Sequence, residues 1–477
     1  MKRVLPLLLL AAAACGPGNP SEPSTSGAPG TSNPPASTPA PGEPPAPAPA
    51  PTPGPTPAPA PVLFQPGFHQ ALRQGMSASA VTTFRFKVPV GRGGDRVRVA
   101  FRAGSDTLTL RRVTIARAGL AGALTSAPVP VTFAGRRDAT AAARERLLSD
   151  ALSFPVSRND ELAVTFEVLG AMAASSLANF PDSYARAGPY GDEPGTLGGT
   201  AHPRLVGLQT IEVEGPRQRA IVAIGDSITE GYVSGPTTGG TTVESGFLAA
   251  TDNYRNVWTR VAETTLGAPI ANAAVSGQGT WDAADNLAGE VFVLPNITDC
   301  VVLIGTNDLG GATTEALEAQ MATLFRTLRP RCQVWASTLL PKERINSSDI
   351  EVVKARRVEI NGWLRSGTAP VDHVIDLESV TRSPTSVHLF ATGLGADGIH
   401  PSVLGHEVMA AEVARVFQLA PAAAVGGCAA LTGASLPDDG SPGGPLDPCP
   451  CFVPKLRANE TTWRPLQWAA PGAFLRK

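Results

Sequence analysis

Residues 220–228 read Ala220-Ile221-Val222-Ala223-Ile224-Gly225-Asp226-Ser227-Ile228. Five apolar residues in a row, closed by a glycine and then by polar groups, suit a strand buried on both faces rather than a surface strand, which would alternate. Similar runs return at 269–273, 301–304, 334–337 and 373–375. Between them, Leu317, Met321, Leu324, Phe325 and Leu328 recur at helical spacing, and Met409, Val413, Val416 and Phe417 mark a last helix. Ser348-Asp349-Ile350-Glu351 has the form of a capping box opening another. Apolar strands alternating with amphipathic helices predict one α/β domain over residues 216–419, with a parallel sheet covered on both faces.

Polar motifs follow three of these strands: Gly225-Asp226-Ser227-Ile228, Ser276-Gly277-Gln278 and Gly305-Thr306-Asn307-Asp308. In a parallel sheet all three fall at the carboxyl edge, where ligand crevices form. A fourth, Asp397-Gly398-Ile399-His400-Pro401, precedes the last helix. Serine acyl transfer needs such a set. The hydroxyl requires an adjacent base, the base requires a carboxylate to hold its tautomer, and the developing oxyanion requires preorganised donors. Taken singly, each motif has an ordinary structural use: Asp226-Ser227 as a helix cap, Asn307-Asp308 as a turn, His400 as a loop histidine held by Asp397. Four together in order point to chemistry.

These four blocks resemble the GDSL or SGNH hydrolase family, named in the second form for its Ser, Gly, Asn and His. The resemblance implies a flavodoxin-like three-layer α/β/α fold with strand order 2-1-3-4-5, and a carboxylic ester hydrolase. It implies Ser227 as nucleophile, His400 as base and Asp397 as third member of the triad. The oxyanion hole would comprise Ser227, Gly277 and Asn307. One departure is a Gly/Thr-rich segment, residues 233–245, directly after the nucleophile block, which bears on the pocket's shape. The implied strand order also sets the strand after Cys300 beside the strand after Cys332, with their starts at one edge. Strands ~4.8 Å apart can be bridged there, leaving either a disulfide or two buried thiols.

Other strings lead nowhere. Residues 393–398 match a dinucleotide-binding pattern, but His400-Pro401 follows instead of a helix. His406-Glu407 begins a zinc-protease motif whose second ligand position is Ala410. His406 is expected to be packed or solvated. There is no Gly-x-Ser-x-Gly elbow of an α/β-hydrolase, and the sequence calls for no cofactor and no metal.

Upstream, residues 63–215 carry short alternating runs at 83–88, 96–101, 107–110, 129–133, 162–168 and 205–213, broken by Gly or Pro. These predict a β-sandwich domain, such as also precedes the catalytic part of some secreted members of that family. Structural packing is its default role, with glycan binding the alternative. The chain opens with Lys2-Arg3 and an apolar run ending at Ala12-Ala13-Ala14-Cys15, which resembles a bacterial lipobox with Ala12 where Leu is usual. Residues 1–15 are therefore read as a lipoprotein signal peptide with Cys15 lipidated. Residues 16–62, almost wholly Pro, Ala, Gly, Ser and Thr, would form a disordered tether of up to roughly 140 Å. Residues 420–477 are read as an irregular tail in which Cys428 could bridge to Cys449 or Cys451.

A net charge of −2 with scattered basic residues argues against a nucleic-acid partner. The expectation is a serine esterase of the bacterial cell envelope, anchored to the membrane by its lipid. Its ester substrates would be acyl groups on carbohydrate or lipid. Acyl transfer by the same triad, or a surface glycan-binding protein with weak catalysis, are the competing readings.

Overall fold

A computed structural model describes residues 61–233, 253–343 and 349–419. The expected signal peptide with Cys15, most of the tether, nearly all of segment 233–245, Ser348 and the tail with Cys428, Cys449 and Cys451 lie outside the described residues.

Five parallel strands form one sheet in the order Ile270–Asn272, Ile221–Gly225, Asp299–Leu303, Gln333–Ser337, His373–Ile375, which in chain order is 2-1-3-4-5. Ile221–Gly225 and Asp299–Leu303 are buried along their whole length, as continuous apolar strands require. Helices Trp258–Leu266, Thr280–Glu290, Thr314–Leu328 and Ile350–Arg365 fall between successive strands, and Val403–Leu419 closes the domain. Thr314–Leu328 buries the anticipated stripe of Leu317, Met321, Leu324, Phe325 and Leu328, and the Thr313 hydroxyl caps it by accepting from Ala316 N–H. Asp349 caps the helix expected after Ser348, its carboxylate accepting from Glu351 N–H. Trp335 sits between His373 and Phe417, with ring centroids 3.9 and 4.1 Å away, and its indole N–H reaches Asp299 Oδ1 at 2.9 Å.

The upstream region forms one hydrogen-bonded antiparallel network of twelve strands. The runs at 96–101 and 107–110 are parts of a single strand, Gly94–Arg117. It pairs with Leu208–Pro216 near its start and with Glu161–Asn179 further along, the latter pairing shifting register between Ala103 and Leu108. The run at 205–213 is instead split into Arg204–Val206 and Leu208–Pro216 at Gly207, whose φ of +69° suits glycine. Phe84, Phe86, Phe101 and Phe166 are fully buried at its centre.

The two regions are joined by more than the chain. Ala71 N–H donates to Asn272 O (2.8 Å), which extends the edge of the parallel sheet. Arg102 reaches Gly289 O and Glu290 Oε1 (2.8 and 2.6 Å), and Gln209 reaches Glu290 Oε2 (2.9 Å). Among the described residues no helix is long and apolar enough to cross a membrane.

Cys300 and Cys332 are disulfide-bonded, with Cα atoms 5.8 Å apart, at the amino-terminal edge of two adjacent parallel strands. The bond closes a loop of 32 residues' separation. Replacing both by Ser should lower unfolding free energy by about 3–4 kcal/mol in urea titrations. A loss below 1 kcal/mol, or alkylation of both positions without reduction, would contradict the bond.

Candidate active site

Strand Ile221–Gly225 delivers the first motif. A Cβ on Gly225 would lie 2.4 Å from Thr229 Oγ1 and 2.7 Å from Leu303 O, so only glycine fits where the chain turns. Asp226 then caps the short helix Ser227–Glu230, accepting from Ile228 N–H at 3.0 Å. Burial pushes the Asp226 carboxyl up to about 6.

Ser227, first residue of that helix, places Oγ 2.8 Å from His400 Nε2. His400 Nδ1 lies 3.0 Å from Asp397 Oδ2, and Asp397 Oδ1 accepts from the N–H groups of Ile399 (3.0 Å) and His400 (2.8 Å). Burial pushes the Asp397 carboxyl up, but the His400 ring and these N–H groups together hold it well below the usual carboxylate range. An ionised Asp397 fixes the proton on Nδ1, which leaves the Nε2 lone pair to accept the Ser227 hydroxyl. Ser227 and His400 are each 7% exposed, mostly buried yet reachable.

The other motifs are bound to this one and to each other. Gln278 Nε2 donates to Gly225 O, and Gln278 Oε1 accepts from Asn286 (2.8 Å). Asn307 Nδ2 donates to Gln278 O (3.0 Å). Asp308 Oδ2 accepts from Thr280 N–H and hydroxyl, both at 2.8 Å. Gly277 is exposed with φ of +80°, and a Cβ there would meet nothing within 4 Å. Its N–H has no protein partner among the described residues. All four sequence motifs therefore meet at one edge of the sheet.

Three site neighbours were not singled out from sequence. Tyr232 stacks on His400, with ring centroids 3.9 Å apart. Buried Lys342 donates to Thr306 O (2.9 Å) and Thr306 Oγ1 (3.1 Å). Burial pushes its ammonium below the usual range, opposed by Asp226 and Asp397. Its position just past a strand's carboxyl end, at Leu339-Leu340-Pro341-Lys342, is the signal that could have found it. The third, Glu230, is wholly buried. His406 is packed: Nδ1 accepts from Trp258 N–H (3.3 Å) and Nε2 donates to Tyr232 O (3.0 Å). The glycines at 393–398 form the loop that carries Asp397. Among the described residues, no group of three or more His, Cys, Asp or Glu could hold a metal ion.

Residues 223–408 match the GDSL-like lipase/acylhydrolase family. The chain carries a GDSL-like hydrolase domain. It is thus a carboxylic ester hydrolase, with a β-rich region before the hydrolase domain. Solved structures similar to this hydrolase include a carbohydrate esterase family 2 enzyme plus carbohydrate-binding domain from Corynascus thermopiles (Myceliophthora fergusii). That likeness has 16% identity and TM-score 0.35, covering 74% of this chain and 98% of that one. A family two carbohydrate esterase from Cellvibrio japonicus shows 13% identity and TM-score 0.32, over 74% of this chain and 94% of that one. A lipolytic G-D-S-L family member from Veillonella parvula shows 17% and 0.35, over 43% and 100%. No curated protein sequence matches the chain.

Burial pushes the His406 imidazole down to about 4, against its bond to Tyr232. Unfolded, it titrates near 6.5, so the unfolded state binds the extra proton first and stability is lost as pH falls from 6.5 towards 4. A His406→Gln hydrolase lacks that loss. Its deficit in Tm against wild type should therefore narrow across this range, and a constant deficit would contradict a neutral, buried His406.

Proposed function

We propose that Ser227 is the nucleophile of an esterase in which His400 is general base and acid and Asp397 orients it. The observation that supports this most is the continuous chain from Ser227 Oγ through His400 to Asp397. Oγ attacks the ester carbonyl carbon and its proton passes to His400 Nε2. The carbonyl oxygen becomes an oxyanion facing Ser227 N–H, Gly277 N–H and Asn307 Nδ2. Collapse expels the alcohol, which takes the proton from His400. Water, activated by the same imidazole, then releases the acid from the acyl-enzyme.

The substrates proposed are acyl esters of carbohydrate or lipid, with acyl transfer to a sugar or lipid hydroxyl using the same groups. A surface binding module with vestigial catalysis fits poorly with so complete a hydrogen-bonded chain. The observed strand order supports a flavodoxin-like three-layer domain, and the phenylalanine-centred network supports a sandwich before it. We also propose an extracytoplasmic location, with Cys15 lipidated and residues 16–62 as tether. The Cys300–Cys332 disulfide supports an oxidising compartment.

Ser227→Ala should abolish hydrolysis of p-nitrophenyl acetate while leaving Tm within a few degrees of wild type. Near-wild-type turnover in the folded variant would overturn the mechanism.

A further inference from the structure

Glu230 ends the nucleophile helix and is 1% exposed. A buried carboxylate needs compensation, and this one gets it mainly from backbone donors. Its Oε1 accepts from the N–H groups of Ser176 (2.6 Å) and Leu177 (2.8 Å), near the end of the upstream strand Glu161–Asn179. Its Oε2 accepts from Ser276 N–H (2.6 Å).

Ser276 is the second residue of a four-residue turn closed by Gln278 N–H to Val275 O (3.2 Å). Gly277 holds the third position at φ +80°, the geometry of a type II turn. The opening of that turn is tied to the nucleophile strand, because Val275 N–H donates to Gly225 O (3.1 Å). One side chain thus grips the turn that presents Gly277, three residues along the helix from Ser227, and anchors both to the β region.

We infer that Glu230 is a positioning residue through which the upstream β region sets the oxyanion donor at Gly277. The inference rests on the reading of Ser227 as nucleophile. It gives the β region a part in the reaction itself, where sequence offered only packing or glycan binding. Held by two N–H groups of one region, the carboxylate cannot move without dragging the turn, so a small displacement at the sheet edge would be felt at the oxyanion.

The test is Glu230→Gln in the whole chain, since an amide sets an N–H donor against one of the backbone N–H groups. The active fraction is counted first by titration with a phosphonate ester. Per titrated site, kcat for p-nitrophenyl acetate should fall by ~10²-fold, as for a reacting geometry misplaced by about 1 Å. KM should stay within threefold, and affinity for a boronic acid that mimics the tetrahedral intermediate should fall in parallel with kcat. A purely structural role would lower Tm and the titrated fraction but leave kcat per site unchanged, and that result overturns the inference. If the amide variant does not fold, Glu230→Asp, which is too short to span both partners, decides by the same criteria. Failure of both to fold also overturns it, by making Glu230 a determinant of folding. An active Ser227→Ala variant would instead bring down the nucleophile reading, a separate failure.

Discussion

The hydrogen bond from Ser227 Oγ to His400 Nε2 joins residues 173 apart in sequence, and the surrounding structure serves to keep it. A parallel sheet makes this economical, because every strand ends at the same edge. The Ser227, Gly277 and Asn307 motifs arrive there by separate strands, and the His400 loop comes last, on the approach to the final helix. Asp397 fixes His400 from three residues away. Tyr232 lies against the ring, and buried His406 in turn accepts from Trp258 and donates to Tyr232. The imidazole is confined on several sides and left open towards the hydroxyl.

The same edge carries an unusual density of buried ionisable groups. Asp226, Glu230, Lys342 and His406 are all nine-tenths or more buried by exposed area. Each is compensated by specific bonds to backbone: Asp226 within its own motif, His406 to Trp258 and Tyr232, and Lys342 and Glu230 to the Thr306 and Ser276 motifs. Lys342 ties the Thr306 loop, Gln278 ties the Gly277 turn to Gly225, and Glu230 ties that turn to the β region. A site that stabilises an oxyanion needs donors fixed before the charge develops. Under the proposed mechanism, this lattice of buried polar groups would supply that rigidity.

Much of this was legible in the sequence because it rests on local rules. Continuous apolar runs placed all five parallel strands, and 3.6-residue spacing named five of the six buried residues of Thr314–Leu328, missing the small Ala322. The four motifs named the residues that converge. What the sequence hid depends on tertiary contact. Nothing local shows that 96–101 and 107–110 belong to one strand, since the intervening Gly104-Ser105-Asp106 reads as a turn; the two parts are joined by pairing with Glu161–Asn179 on either side of a register shift. Gly207 breaks a run that alternation alone would keep whole. Tyr232, Lys342 and Glu230 lacked a motif, because their roles are defined by partners remote in sequence. The union of the β region with the sheet edge at Asn272 was invisible for the same reason.

The central claim is that Ser227, activated by His400, forms the covalent acyl-enzyme. Treating the folded protein with a p-nitrophenyl phosphonate ester and mapping the adduct by peptide mass spectrometry tests it directly. The account requires one phosphonyl group per chain, on Ser227, released with stoichiometric p-nitrophenol and lost when His400 is replaced by Ala. An adduct on another residue, or labelling of Ser227 at an unchanged rate without the imidazole, would contradict it.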